Sequence, residues 1–312
     1  MSEVLVKVID LKKYFGPVRA VDGISFEIKR GETFALVGES GSGKTTAGMT
    51  ILRLYPKTGG DVFFQGKDIY KLKKKELRNL RPKMQMIFQG AKSSLNPRMT
   101  AETLIGEALL EHNLCSKKRV REMVAEIMER CGLSSAFMNR YPHQFSGGER
   151  QRIGIARALA LKPDFIVADE PVSSLDISIQ SQIINLLMDL QQEYGLTYLF
   201  ISHDLSLVEY ISHRIGIMYL GSLVELGLTR QIFQKPAHPY TQALLSAMPR
   251  LNPLHKRERI ILTGEMPSPI NPPEGCKFHT RCPYAKELCR KYEPRLTEIN
   301  PEHWVGCHFR NY

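Results

Sequence analysis

The sequence lacks any long apolar run. No stretch of 18 or more consecutive apolar residues occurs in its 312 residues, so it predicts no membrane-spanning helix. The first 15 residues also lack the uninterrupted apolar segment of a signal peptide. We therefore expect a protein that is made and kept in the cytoplasm and reaches a membrane only through a partner or through its own surface.

Internal repeats, sustained heptads and low-complexity tracts are missing as well. An apolar fraction of 43% and a charged fraction of 24% are ordinary for a folded protein, which argues against disorder. A chain of this length can hold one large α/β domain with a smaller appendage, or two modest domains.

Acidic residues are too few to balance the basic ones, and the formal net charge is +11. Much of the excess lies in residues 71–83, where seven basic side chains accompany one acid, Glu76. Such a run is either a solvated helix face or a contact for anionic lipid headgroups or an acidic partner loop. It contains no aromatic residue, so stacking on single-stranded nucleic acid has no support, and we expect no nucleic-acid partner.

Short strand-like runs alternate with helical stretches from residue 4 to about residue 233. Two of the runs, FIVA and TYLFI, are apolar at consecutive positions, which is typical of strands buried on both faces. About 75 residues with helical periodicity separate MQMIF from FIVA. We therefore predict an α/β fold, a mixed sheet covered by helices, with a helical subdomain inserted at about residues 95–160. The predicted strands are VLVKVID, ISFEI, TFALV, VFF, MQMIF, FIVA, TYLFI and RIGIMYL.

Composition changes after about residue 234. Of the 18 prolines, 11 lie between Pro236 and Pro301, and four of the six cysteines lie between Cys276 and Cys307. Proline at this density excludes long helices and central strands, so a loop-rich module needs another source of stability. We predict a core domain at residues 1–233 and a small Pro- and Cys-rich domain at residues 234–312.

The segment GESGSGKTT at residues 38–46 matches the P-loop pattern G-x-x-x-x-G-K-[ST] in full, between the apolar run TFALV and a helix-compatible stretch. Backbone N–H groups of residues 39–45 can surround a β-phosphate, Lys44 can reach the β and γ oxygens, and the Thr45 hydroxyl can ligate Mg²⁺. The predicted nucleotide contacts are Gly38, Glu39, Ser40, Gly41, Ser42, Gly43, Lys44, Thr45 and Thr46.

A second phosphate-binding sequence, FSGGERQR at residues 145–152, has glycines and a helix start but no lysine. Ser146, Gly147 and Gly148 can offer backbone N–H groups and a helix N-terminus to an anion, with nothing to bind Mg²⁺. We expect this segment to complete a phosphate pocket built elsewhere, which implies a partner chain.

Acidic and polar residues follow several of the predicted strands. Asp169 and Glu170 end FIVADE, where the first suits the Mg²⁺ shell and the second can polarise or deprotonate the attacking water. His203 and Gln89 follow TYLFIS and MQMIF, at strand ends where ligands gather in α/β sheets. His203 is a candidate γ-phosphate contact, and Gln89 a candidate sensor of Mg²⁺ and the attacking water. Tyr14 offers a ring for adenine stacking, with core packing as its structural alternative.

With these residues in place, the chain resembles an ATP-binding subunit of an ABC transporter, and the resemblance covers nearly all of the sequence. It implies that residues 1–233 form the family's nucleotide-binding domain, and that the SSLD sequence at residues 173–176 is the D-loop, with Asp176 at the nucleotide. Residues 146–150 become the signature, which includes Glu149 where generic members more often have glutamine. His203 becomes the switch histidine, and Gln89 belongs to the Q-loop.

The same resemblance implies that two such subunits pair head to tail. Ser146 and Gly148 of one subunit would cap the γ-phosphate that Lys44 of the other subunit holds. Two ATP molecules would be sandwiched between the subunits, and closure would drive membrane subunits.

Finer similarities point to the oligopeptide and dipeptide importers, particularly the second of their two ATPase subunits. They include SSLNPRM, YPHQFSGGERQRIGIARAL and HPYTQALLSAMP. One departure is Gly90 and Ala91 after the Q-loop glutamine, where the subfamily commonly has Asp-Pro. The implied partners are a second ATPase subunit in a heterodimer, two transmembrane permease subunits and an extracellular or periplasmic substrate-binding protein. The implied location is the cytoplasmic face of the cell membrane.

The four late cysteines are Cys276, Cys282, Cys289 and Cys307, separated by five, six and 17 residues. Structural zinc sites usually contain closely spaced cysteine pairs, which these intervals do not provide. A reducing cytoplasm disfavours disulfides. Four thiolates satisfy a 4Fe-4S cluster, and the peptide-importer subfamily carries a similar cysteine pattern that binds one. The alternatives are zinc, with His279 and His308 as substitute ligands, and unmetallated thiols.

We therefore expect an ATPase that energises import of di- or oligopeptides, with ATP, Mg²⁺ and a 4Fe-4S cluster as cofactors. Within the same class, the solute can instead be nickel, a sugar or another nutrient. A rival from another class is a non-transport ABC ATPase acting on DNA or ribosomes, which predicts coiled-coil insertions or two cassettes per chain. A redox-sensing module without turnover is a third reading, against which intact Glu170 and His203 argue.

Overall fold

A computed structural model describes residues 3–90, 94–248 and 259–309 of the chain. Contacts divide the chain into two units. The first is formed mainly by Lys71–Ile201, and the second by Val4–Ile28, Glu32–Tyr70 and Ser202–Tyr312. The predicted boundary at residue 233 stays a prediction, and Ala91 of the predicted Q-loop departure lies outside the described residues.

Within the described residues the strands are β1 (Val4–Phe15), β2 (Val18–Lys29), β3 (Thr33–Val37), β4 (Gly59–Phe64), β5 (Lys67–Asp68), β6 (Met84–Ile87), β7 (Phe165–Asp169), β8 (Thr197–Ser202), β9 (Arg214–Tyr219), β10 (Ser222–Leu228), β11 (Thr297–Asn300) and β12 (His303–Val305). The helices are α1 (Lys44–Ile51), α2 (Lys74–Leu80), α3 (Ala101–Glu111), α4 (Val120–Arg130), α5 (Gly147–Leu159), α6 (Ile177–Tyr194), α7 (Leu205–Ile211), α8 (Thr229–Gln234), α9 (Pro239–Ser246) and α10 (Glu287–Lys291). The longest buried runs lie in β3, β7, β8 and β9, and side-chain caps begin α3, α5, α6, α7 and α9.

In the first unit, β6, β7 and β8 lie parallel, with β7 in the middle. Every residue of β7 is buried, as its continuous apolar run predicts. The register puts Ile87 opposite Ala168 and Asp169 opposite Ile201. Because the strands are parallel, their carboxyl ends meet at one edge, and Gln89, Asp169 and Glu170 follow from that edge.

Between β6 and β7, the described residues of the first unit form α3, α4 and α5 together with two short 3₁₀ turns. The Thr100 hydroxyl caps α3 by accepting a hydrogen bond from the N–H of Thr103. After β7, α6 begins at the cap Asp176 and ends at Gly195, which adopts a left-handed conformation with φ 64°. These helices confirm the helical periodicity read from the sequence.

The second unit contains two sheets. One is antiparallel with strand order β2-β1-β4-β5, in which Val8 of β1 faces Val62 of β4. In the other, the strands follow the order β11-β12-β10-β9-β3. There β3 is parallel to β9 whereas β10 is antiparallel to β9, so the sheet is mixed, as predicted.

An aromatic cluster ties the Pro- and Cys-rich region to the sheet of the second unit. The Phe278 ring lies 5.2 Å from the ring of Tyr219 in β9, 5.4 Å from Tyr240 in α9 and 5.5 Å from His238. Phe278 is 1% exposed. In the described part of residues 234–309 the regular elements are short, with α9 starting at a proline in its first turn, where proline is tolerated.

All eight predicted strands are present, and β5, β10, β11 and β12 were not predicted. None of the helices in the described part of the chain is long and apolar enough to cross a membrane.

Candidate nucleotide-binding site

The P-loop leaves the buried strand β3 at Val37 and enters α1 at Lys44. Its last glycine, Gly43, is the N-cap of α1 and has φ 101°, a conformation that L side chains rarely adopt. A Cβ at this position would also collide with the carbonyl oxygen of Ala20. Since the N-cap is a glycine, it brings no side-chain acceptor to the amides of the first helical turn, and this N-terminus suits an external anion.

The P-loop lysine is folded into its own loop. Lys44 is 5% exposed, and its Nζ donates to the carbonyl oxygens of Gly38 at 2.8 Å and Glu39 at 2.9 Å. A longer contact of 3.4 Å joins it to the Ser42 hydroxyl. The loop therefore holds a cation at its centre. Around it, Ser40 and Gly41 are exposed, whereas Thr45 and Thr46 are half-buried.

In the first unit, the structure brings Gln89 and Glu170 together. The Gln89 Nε2 donates to the Glu170 Oε2 at 2.8 Å. Glu170 has a φ of 44°, in the left-handed region that favours glycine, and its N–H donates to the carbonyl of Ile201 at 2.9 Å. Asp169, at the end of β7, is 1% exposed. A non-glycine residue held in this conformation beside a buried carboxylate is typical of functional sites.

The signature segment starts α5 with a reciprocal cap. The Ser146 hydroxyl accepts from the Glu149 N–H at 3.3 Å, and the Glu149 carboxylate accepts from the Ser146 N–H at 2.8 Å. Hydrogen bonds from Ser146 lower the pKa of Glu149, so the carboxylate is held as an anion at the helix start. The signature glycines also serve packing, because a Cβ on Gly148 would lie 2.6 Å from the Ile179 Cγ2.

Asp176 and His203 are two further predicted site residues. Asp176 is the N-cap of α6, where its Oδ1 accepts from the Ile179 N–H at 3.0 Å. His203 follows β8 directly and is exposed. The P-loop, Tyr14 and His203 belong to the second unit, and the signature, Gln89, Asp169, Glu170 and Asp176 belong to the first.

Tyr14 is oriented by a residue that the sequence did not single out. Its hydroxyl donates to the Asp22 Oδ1 at 2.5 Å, and the Arg19 guanidinium lies 5.9 Å from its ring centre. Burial and the hydrogen bond to Asp22 raise the pKa of Tyr14 to about 12. Lys277 donates to the other Asp22 oxygen at 2.7 Å. Asp22 and Lys277 are 255 residues apart, so no local pattern could have linked them.

The four late cysteines all lie in the second unit. Cys289 and Cys307 are buried, Cys276 and Cys282 half-buried, and the Cys276 N–H donates to the Cys289 carbonyl at 2.7 Å. Burial, with smaller contributions from the neighbouring Cys289, Cys307 and Cys282, raises the pKa of Cys276 to about 12. Within the described ranges, however, no group of three or more His, Cys, Asp or Glu side chains is placed to hold a metal ion.

The basic segment at residues 71–83 is largely solvent-exposed. Lys73, Lys74 and Lys75 are exposed, and Arg78 pairs with Glu111 of α3 at 3.3 Å. A groove of about 880 Å³ lies between α2 and α3. The described geometry fits a solvated helix face and leaves contact with lipid headgroups or an acidic partner loop as a prediction.

The chain matches two family models. Residues 21–173 match the family described as ABC transporter, and residues 224–289 match the oligopeptide/dipeptide transporter C-terminal region. The chain is 52% identical to the oligopeptide transport ATP-binding protein AppF of Bacillus subtilis, over 98% of both chains. It is 48% identical to the dipeptide transport ATP-binding protein DppF of Haemophilus influenzae, over 97% of this chain and 96% of DppF.

Solved structures agree with this assignment. The dimeric post-hydrolysis state of the ATP-binding cassette MJ0796, bound to ADP and Pi, has 31% sequence identity and a TM-score of 0.66, over 72% of this chain and 99% of that chain. The cbiO1 structure from Clostridium perfringens, part of the ABC transporter complex cbiONQ, has 25% identity and a TM-score of 0.68, over 75% of this chain and 92% of that chain. The chain therefore belongs to the ATP-binding proteins of ABC transporters, in the group that carries the oligopeptide/dipeptide transporter C-terminal region.

Proposed function

We propose that this chain binds and hydrolyses ATP to energise an importer of dipeptides or oligopeptides. The observation that carries the proposal is its 52% identity, over 98% of both chains, with a protein named for oligopeptide transport. The second family match, at residues 224–289, supports a peptide solute over nickel or a sugar. The P-loop closed around Lys44 supports the use of a nucleoside triphosphate.

The site residues divide the chemistry among them. Lys44 holds the β and γ oxygens, while the Thr45 hydroxyl, Asp169 and Gln89 bind Mg²⁺ directly or through water. Glu170 accepts a proton from the attacking water or polarises it, and the Gln89 hydrogen bond of 2.8 Å holds its carboxylate in place. His203, exposed after β8, contacts the γ-phosphate.

We propose that the complete site needs two chains. The signature residues of the partner subunit that correspond to Ser146 and Gly148 face the nucleotide held by Lys44 of this chain, with Asp176 nearby. The partner is a second ATPase subunit of the same family. Together the pair drives two transmembrane permease subunits, which receive peptides from an extracellular or periplasmic binding protein. The ATPase pair then lies on the cytoplasmic face of the membrane.

The late cysteines suit a 4Fe-4S cluster in the kind and number of their ligands. Four sulfur donors, the number that such a cluster takes, lie within residues 276–307. When bound, such a cluster would supply the cross-links that a loop-rich module lacks. The side chains do not form a metal-holding group within the described residues, so ligation requires them to move.

Transport in proteoliposomes tests the proposed function. The chain is combined with its companion ATPase, permease and binding-protein subunits, and uptake of a radiolabelled dipeptide is measured with and without MgATP. We expect uptake that needs ATP and that Glu170→Gln abolishes while ATP binding persists. Uptake of nickel or a sugar in place of peptide, or full hydrolysis by Glu170→Gln, would contradict the proposal.

Anaerobic purification tests the cluster. We expect a brown protein that absorbs at about 400 nm. Cys276→Ser should lose the colour, and Cys131→Ser, which alters a buried thiol outside the module, should keep it. A colourless protein with stoichiometric zinc would refute the cluster.

A further inference from the structure

The segment between the first two late cysteines, residues 276–282, packs against the nucleotide-binding loops of the second unit. Its third residue, Phe278, is enclosed by the rings of Tyr219, Tyr240 and His238. Because Phe278 is 1% exposed and Tyr219 belongs to β9, the segment is anchored on the sheet. We call residues 276–282 the anchor segment. Two of its basic side chains reach Glu39 of the P-loop and Asp22, the residue that orients Tyr14.

Arg281 reaches the P-loop. Its Nη1 donates to both carboxylate oxygens of Glu39, at 3.2 Å and 3.0 Å. The Glu39 N–H donates in turn to the Tyr240 hydroxyl at 2.9 Å. The Arg281 side chain is 10% exposed, so water screens this ion pair less than it screens a surface pair. The second P-loop residue is thus held through its side chain and its backbone at once.

Lys277 reaches the residue that orients Tyr14. Its Nζ donates to the Asp22 Oδ2 at 2.7 Å and to the Ser222 hydroxyl at 2.6 Å. Burial opposes ionisation of Asp22, but the hydrogen bonds from Lys277 and Tyr14 outweigh it and lower the pKa of Asp22. Asp22 therefore remains an anion that accepts from the Tyr14 hydroxyl.

We infer that the anchor segment positions the ATP site at two points, with Arg281 fixing the P-loop through Glu39 and Lys277 fixing the Tyr14 ring through Asp22. Each basic residue acts through another side chain, so both are positioning residues. The inference rests on the proposed ATP-binding function and adds that the C-terminal region takes part in setting nucleotide affinity.

Two ligands distinguish the role of Arg281 at the P-loop from the role of Lys277 at Tyr14. Inorganic tripolyphosphate has phosphates for the P-loop but no base for the Tyr14 ring. Binding of MgATP and of magnesium tripolyphosphate to the full chain is measured by calorimetry. We expect Arg281→Met to weaken both ligands by about tenfold, since the P-loop loses an ion pair. Lys277→Met should weaken MgATP by about fivefold and leave tripolyphosphate unchanged. Arg290→Met, an exposed basic residue of the same module, is the matched control.

A coupling measurement separates positioning from loss of folding. In a Glu39→Gln background, Arg281→Met should not weaken binding further. In the otherwise unaltered chain, Arg281→Lys should recover part of the affinity that Arg281→Met loses. Equal loss of both ligands in Lys277→Met, or no loss in Arg281→Met, would overturn the inference. If the unaltered chain bound neither ligand, the proposed function would be contradicted. If all variants bound both ligands as tightly as the unaltered chain does, only the positioning role would be contradicted.

Discussion

The P-loop and the signature segment are both glycine-rich turns that lead into a helix, yet their helix N-termini differ in what occupies them. At the P-loop, the N-cap is Gly43 and a lysine cation lies in the loop on carbonyl oxygens. At the signature, the Ser146 hydroxyl and the Glu149 carboxylate cap the helix reciprocally. The first arrangement attracts a phosphate, and the second already contains an anion of its own.

On the proposed function, this difference accounts for a single chain that holds ATP and a second chain that completes the site. The Glu149 carboxylate opposes another negative charge at the signature helix, so free phosphate has little reason to bind there. A nucleotide already held by a P-loop and Mg²⁺ can be brought to the signature with its charge largely compensated. The comparison can be tested from either side.

The largest expected effect is on the P-loop side. Lys44→Ala removes the cation from the loop, and we expect MgATP affinity to fall by about 100-fold or more. Calorimetric titration of the isolated chain measures it. Lys67→Ala, a change at an exposed lysine of the same unit, should bind normally. Near-normal binding by Lys44→Ala would remove the basis of the comparison.

At the signature, we expect a loss of hydrolysis without a loss of MgATP affinity. Ser146→Ala removes the hydroxyl that caps α5, and we expect about 1 kcal/mol lower stability and at least roughly tenfold slower hydrolysis. MgATP affinity of the isolated chain should not change, because its phosphates bind at the P-loop. Parallel measurements of steady-state hydrolysis and equilibrium binding check both statements. A loss of affinity matching the loss of hydrolysis would show that the two segments act within one chain.

The smallest expected effect concerns the signature anion. Glu149→Gln keeps an oxygen that can accept from the Ser146 N–H but removes the charge, so stability should fall by less than about 1 kcal/mol. Since the pKa of Glu149 is lowered on folding, its contribution is present above the ordinary glutamate pKa and is lost as pH falls through the folded value. Chemical denaturation at several pH values should show the two proteins converging in acid. A difference that grows in acid would contradict this cause.

Much of the fold and of the site could be predicted because the relevant signals are local. The strands β3, β7 and β8 are apolar at every central position, and the P-loop pattern fixes a strand, a turn and a helix start within a few residues. Ser146 and Glu149 stand three residues apart, which is the spacing of a capping box.

Part of what escaped prediction depends on distant contacts. Strand β10 contains Glu225, a fully buried charge that no strand pattern favours. It is accommodated because the N–H groups of Ala237 and His238 and the ring of His303 bind its carboxylate. The link between Arg281 and Glu39 spans 242 residues. Such contacts become visible only when the chain is folded.

The measurement that tests the central claim most directly is complementation between two impaired variants. Lys44→Ala lacks a working P-loop, and Ser146→Ala lacks a working signature. They are assayed alone and mixed, under conditions in which the unaltered chain hydrolyses ATP. In a random 1:1 mixture of dimers roughly a quarter of the shared sites are intact, so the mixture should hydrolyse ATP faster than either variant alone. A mixture no more active than its components would show that the signature does not complete a partner's site.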